Sequence, residues 1–218
     1  MLNTRQAVLA EGLGTGILVA AVVGSGIAAQ GLTHDVGLQL LINALSTVAA
    51  LGVLIALLLP ISGAHFNPAI TLVAVIRGDI KRVLAVGYIV SQCVGAIIGA
   101  VLANTMFEHS AMSWASSGRS GYGQWTGEAV ATAGLVLTVL LANRSHLPII
   151  VPAWIGAAYF FTSSTSFANP AVTLGRAFTH SFSGIAWEDV PMFVIAQILG
   201  ALAALVVVSL LASNKETA

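Results

Sequence analysis

The stretch FANPAVTLGR, residues 167–176, sets an Asn-Pro pair inside apolar sequence, and FNPAITLVAVIR, residues 66–77, nearly repeats it. Asn is a favoured helix N-cap, because its side-chain oxygen accepts from N–H groups that the first turn leaves unpaired. Proline suits the next position, where its missing N–H costs nothing and its φ is already helical. Each phrase therefore starts a helix. The apolar pieces that follow, about 67–76 and 169–178, are far too short to cross a bilayer, which takes roughly 20 residues. They read as half-helices that enter from one side and stop near the middle.

The rest of the chain puts these pieces in a membrane. Of 218 residues, 57% are hydrophobic and 7% are charged, whereas a soluble domain carries about 25% charged residues. So few charges cannot coat a water-facing surface, and the protein's partner is the lipid bilayer. Zero net charge and the lack of a basic run exclude nucleic acid. The single cysteine, Cys93, cannot form an internal disulfide and reads as a packing thiol. Six longer apolar stretches, at about 6–29, 36–59, 82–106, 126–142, 147–165 and 190–212, read as spans. The first is longer than the ~7–15-residue core of a signal peptide and has no evident cleavage site. The expected fold class is an all-α membrane protein of six transmembrane helices plus two re-entrant half-helices. Lys and Arg gather on the cytoplasmic side of short loops. With the N-terminus inside, Arg5, Arg77, Lys81, Arg82, Arg144 and Lys215 fall inside and Arg119 outside, so both termini are expected in the cytoplasm.

The Asn-Pro phrases belong to a longer repeat. AEGLGTGILVAAV (10–22) resembles GEAVATAGLVLTV (127–139), and YIVSQCVGA (88–96) resembles FVIAQILGA (193–201). The chain reads as one transmembrane domain of two copies, about 5–106 and 125–212. Three spans is an odd number, so the second copy enters the membrane upside down. Inverted repeats of this kind place a shared site near the bilayer midplane.

At that midplane the two half-helix N-termini meet, each carrying about half a positive charge. The phrases Asn67-Pro68-Ala69 and Asn169-Pro170-Ala171 form the meeting point. Capping through the oxygen leaves the amide nitrogens of Asn67 and Asn169 free to donate into a cavity. The irregular stretches ISGAH and SSTSF before the phrases are tolerated at depth only where they line a wet cavity. The carbonyls of Gly63, Ala64, His65, Ser164 and Thr165 are expected along its wall. Glu11 and Glu128 sit at matching places in the first and fourth spans. They could relay protons, or hold N–H groups of the irregular loops; the second role is favoured, with Gln92 and Gln197 tying the third and sixth spans in the same way. His65 could act as a pH switch, but its backbone carbonyl is its favoured contribution.

Two positive helix ends favour a neutral oxygen and repel cations. A coupled carrier would want acidic pairs or a cation site at the midplane. No nucleophile with its base and no phosphate loop suggests a membrane enzyme, and no cofactor or metal site is indicated.

These motifs resemble the aquaporin (major intrinsic protein) family: AEGLGT, ISGAHFNPAIT, YIVSQCVGA, FANPAVT and FVIAQILGA span nearly the whole chain. The resemblance implies a pore within each subunit, a homotetramer, and passive transport of small uncharged solutes. In most of the family an Arg follows the second Asn-Pro-Ala and forms a narrow outer filter. Here that residue is Val172. Counting from the motifs puts the other three filter positions at Thr47, Ala157 and Ser166. All four are small, which implies a wide constriction open to glycerol, urea and As(OH)₃ as well as water. A subset of bacterial members with this pattern is associated with metalloid efflux, implying the inner membrane. A water-selective pore is the alternative. Arg176, four residues beyond Val172, either reaches back to the filter or points to the rim and its loop carbonyls; the rim is favoured.

Overall fold

A computed structural model describes residues 4–213, so Lys215 lies outside the described residues. The described residues form eight α-helices: α1 (Thr4–Leu32), α2 (Val36–Ser62), α3 (Pro68–Ile76), α4 (Arg82–Met106), α5 (Tyr122–Leu141), α6 (Leu147–Phe161), α7 (Pro170–Arg176) and α8 (Val190–Ser213). Helices α1, α2, α4, α5 and α8 are long and apolar enough to cross a membrane. The chain is a multi-pass membrane protein, all helical across its described elements.

Helix α4 shows how the sequence sorts its faces. Val83, Val86, Val90, Val94 and Ile98 recur every three or four residues and are exposed, so they form one lipid-facing stripe. The opposite face buries Ala85, Tyr88, Gln92, Gly95, Gly99 and Ala103. Lipid tails are as apolar as Leu, so burial of branched side chains cannot drive helix association here; close backbone contact can. A Cβ on Gly95 would lie 2.1 Å from the Gly12 carbonyl oxygen, and one on Gly99 equally close to that of Gly16. Helices α1 and α4 therefore touch backbone to backbone. Helices α5 and α8 do the same, where a Cβ on Gly200 would lie 2.2 Å from the Ala129 carbonyl.

The fifth span departs from expectation. Instead of running from 147 to 165, α6 has 15 residues, about 22 Å of helix. A 3-10 turn, Arg144–His146, extends it at one end. At the other, the Thr162 hydroxyl returns to the Ala158 carbonyl at 2.7 Å, and the backbone turns extended. The chain then leaves the helix to run inward toward the second Asn-Pro-Ala. The apolar run through Phe160 and Phe161 hides this break from a hydropathy reading.

The two short helices α3 and α7 enter the bundle without crossing it. Each begins at its Asn-Pro phrase, with Asn67 and Asn169 as extended N-caps and Pro68 and Pro170 first in the helix. They end at Ile76 and Arg176.

A candidate conducting lane between two half-helices

The half-helices meet through their caps. Asn67 Oδ1 accepts from Ala69 N at 2.8 Å; Asn169 Oδ1 accepts from Ala171 N at 2.9 Å and from Val172 N at 3.2 Å. The amide nitrogens are not both left free, as the sequence reading had them. Asn67 Nδ2 donates to the Ala168 carbonyl at 2.7 Å, and Asn169 Nδ2 donates to the Phe66 carbonyl at 2.7 Å. Each Asn thus spends one N–H on the loop before the other motif and keeps one. These reciprocal bonds join segments about a hundred residues apart and fix the two N-termini together.

The loops that lead into the motifs adopt unusual backbone. Ala64, Phe66, Thr165, Ser166 and Ala168 all have φ between 49° and 62°, a left-handed conformation costing about 1–3 kcal/mol per non-glycine residue. Two buried carboxylates hold it. Glu11 Oε1 accepts from His65 N and Ser62 Oγ, and Oε2 accepts from Phe66 N and Gln92 Nε2, all within 2.6–2.9 Å. Glu128 Oε1 accepts from Phe167 N at 2.8 Å, and Oε2 accepts from Ala168 N at 2.9 Å and Gln197 Nε2 at 2.5 Å. Gln92 and Gln197 each reach on to a threonine of the half-helix, Thr71 or Thr173. Both carboxylates are fully buried, and each of their oxygens accepts at least one of these bonds. The His65 ring lies 3.1 Å from Thr71 Oγ1 and edge-on to Tyr88.

A cavity of about 60 Å³ runs past the meeting point. That is room for a few waters, each needing about 10–15 Å³ by this measure. Its wall carries Asn67, Asn169, Thr47, Ser166, Val172 and Arg176 amid Leu18, Leu51, Leu135 and Ile155. A second cavity, about 280 Å³, is lined by Gly63, Ala64, His65 and Arg144 and shares Val151 with the first. Val151 borders both, so the second cavity lies next to the first, on the side of Arg144.

One expectation about the lane is corrected, and one is met only in part. Ala157 is exposed and faces a surface groove against Leu137, Thr138 and Trp154. Two residues on, Tyr159 is buried on the lane, its hydroxyl 3.1 Å from Thr47 Oγ1. A helix turns 100° per residue, so a two-residue slip swings a side chain by about 200°, from the lane to lipid. Arg176 is the second. It does bond a loop carbonyl, Ser183 O, through Nε, but it is 2% exposed and lines the lane beside Val172. The wall opposite Thr47 and Ser166 is therefore not made of small residues alone.

Sequence reading missed Tyr159 and Arg119. The first carried a signal: a buried phenol needs a partner for its hydroxyl. Arg119 was only a lone cation in a Gly/Ser-rich loop. In the structure it is half-buried, with Nη1 3.5 Å from both the Ser164 carbonyl and Thr165 Oγ1. Burial pushes its guanidinium below the usual arginine range, and the Glu128 charge partly opposes that. The hydroxyl chain of Thr179, Ser181 and Ser183, which pins the loop after α7 to Asn104, gave no signal in the sequence.

The family model described as Major intrinsic protein matches residues 1–166 and 155–218. Aquaglyceroporin AqpS of Rhizobium meliloti (strain 1021) is 51% identical over 205 residues, covering 93% of this chain and 88% of that one. Probable aquaporin TIP1-2 of Oryza sativa subsp. japonica is 34% identical over 194 residues, covering 80% of this chain and 75% of that one. Among solved structures, the aquaglyceroporin from Plasmodium falciparum superposes with a TM-score of 0.69 at 20% identity, over 93% of this chain and 94% of that one. Paired Asn caps at the junction of two half-helices, and a family match across both halves, make this chain a member of the major intrinsic protein family, whose members are channels rather than enzymes.

Proposed function

We propose that the lane is a passive channel for small uncharged solutes: water, glycerol, urea and arsenite as As(OH)₃. The observation that carries this reading is the reciprocal bonding of Asn67 to Ala168 and of Asn169 to Phe66. It aims two positive helix ends and two spare amide donors at one point of a cavity that is otherwise apolar. A neutral oxygen can accept there; a cation meets repulsion. Thr47, Ser166, Tyr159 and Val172 form the constriction, and the carbonyls of Gly63, Ala64, His65, Ser164 and Thr165 offer acceptors on its two sides. Glu11 and Glu128 support the loops that present them. The surroundings proposed are a homotetramer in a bacterial inner membrane, with both termini cytoplasmic, the Arg119 mouth outside, and inverted repeats at about 5–106 and 125–212 forming one channel domain.

Stopped-flow volume measurements on proteoliposomes, with a panel of water, glycerol, urea and As(OH)₃, test it. Flux linear in solute concentration and indifferent to ion gradients supports a channel; saturation at low concentration or dependence on an ion gradient defeats it. One observation favours a narrower, water-preferring pore: Tyr159 stands on the lane where an alanine was expected, and the cavity is small. The same panel ranks the two readings by the ratio of glycerol to water flux.

A further inference from the structure

The carbonyls of Phe182, Ser183 and Gly184 are taken in turn by two guanidiniums. Arg119 Nη2 donates to Phe182 O at 3.3 Å and Arg119 Nε to Gly184 O at 2.8 Å. Between them, Arg176 Nε donates to Ser183 O. Both guanidiniums also lie over the Phe167 ring, with their central carbons 4.9 Å and 3.3 Å from its centroid. The ring is held in turn, edge-on to Phe193 at 5.1 Å, while its own N–H is bound by Glu128. Ser183 is fixed by the hydroxyl chain to Asn104. The two cations are therefore held by the same loop and the same ring.

Neither is neutralised by contact. Among the described residues neither guanidinium has a carboxylate oxygen within 4.0 Å, unlike Arg77, which pairs with Asp79 on the exposed surface. Asp189 Oδ2 binds the main-chain N–H of Arg119, at 2.6 Å, and not its guanidinium. The carbonyls and the ring solvate the charges without cancelling them. Arg176 spends only Nε on a protein hydrogen bond and lines the lane beside Val172. A fixed positive charge on a narrow, low-dielectric lane acts on whatever passes.

We propose that Arg176, positioned by Arg119 through the 182–184 loop and Phe167, supplies the barrier to cations that Val172 cannot, so that the lane rejects a cation while passing a neutral solute of the same shape. This rests on the channel reading above. It moves the charge from the residue after the Asn-Pro-Ala phrase to the end of the same half-helix, and makes a loop arginine its brace.

Urea and guanidinium test it, because both are planar, of similar size, and differ in charge. In proteoliposomes the wild type is expected to pass urea at least a hundredfold faster than guanidinium. R176Q should lower that ratio at least tenfold, through a rise in guanidinium flux, and R176K should restore most of it. R119Q, which keeps Arg176 but loosens its loop, should lower the ratio two- to fivefold. An R176Q ratio within twofold of wild type overturns the proposal. Should R176Q fail to fold, the R119Q ratio decides, and no change there overturns it. A wild type that passes neither urea nor water defeats the channel reading and takes this inference with it; intact urea flux with an unmoved ratio defeats this inference alone.

Discussion

The hydroxyl of Tyr159 lies 3.1 Å from Thr47 Oγ1, joining α6 to α2 on the wall of the lane. The pair closes part of the space that the small residues around it would leave. Tyr159→Ala removes the ring and the bond together, and the Thr47 hydroxyl then faces open lane. The expected outcome is a glycerol flux that rises severalfold more than water flux in shrinking and swelling assays. Tyr159→Phe keeps the bulk and should stay within about twofold of wild type for both, since it removes one hydrogen bond worth about 1 kcal/mol. Equal changes in both fluxes for Tyr159→Ala would place the constriction elsewhere.

Val172 offers the opposite manipulation. Its side chain faces the lane at the first turn of α7. Val172→Arg adds a long guanidinium that is always charged, on the same wall as Arg176. Glycerol and As(OH)₃ flux should fall at least tenfold while water flux falls less than threefold. Solute and water slowed alike would mean that the new side chain disturbs the fold rather than the throat, which the elution profile of the detergent-solubilised protein would reveal.

These contrasts mark where sequence reading reached and where it stopped. Asn67 and Asn169 were legible because a cap phrase in apolar sequence has few other uses, and the repeat put both at one depth. Glu11 and Glu128 were legible because a charge inside a span demands partners. Ala157 was misplaced because counting back from Asn169 crosses residues 162–168, where the backbone is irregular and helical phase is lost. For Arg176 the loop-carbonyl bond was foreseen, but its burial on the lane was not, because that depends on a carbonyl of Ser183, seven residues on in a loop whose path no local pattern sets. The short reach of α6 was hidden for a related reason. Hydropathy reports what lipid tolerates, not where a hydroxyl such as that of Thr162 ends a helix.

The buried carboxylates give a test of stability. Glu128 accepts from two main-chain N–H groups of a left-handed loop and from Gln197. Glu128→Gln replaces one acceptor oxygen by a donor that faces those donors, at a cost of about 1–3 kcal/mol for each one orphaned. Thermal unfolding in detergent should begin several degrees lower, and urea flux per folded protein should fall. The same should hold for Glu11→Gln. Normal stability with lost flux would instead point to a role in transport, contrary to the saturated bonding seen at both carboxylates.

The contact of α1 with α4 allows a substitution with a built-in control. A Cβ at Gly95 would lie 2.1 Å from the Gly12 carbonyl oxygen, a backbone atom that cannot rotate away. Gly95→Ala must therefore push the two helices apart, and overpacking of this kind costs about 1–3 kcal/mol. Gly31, near the end of α1, has nothing within 4 Å of an added Cβ. Gly31→Ala should be neutral or slightly stabilising, since Ala outdoes Gly within a helix by up to about 1 kcal/mol. Melting curves of the two variants in one detergent should separate by several degrees, with Gly95→Ala the lower. Coincident curves would mean that α1 and α4 are not held by backbone contact, and that the polar bonds of Ser91 to Val8 and of Gln92 to Glu11 carry the pairing instead.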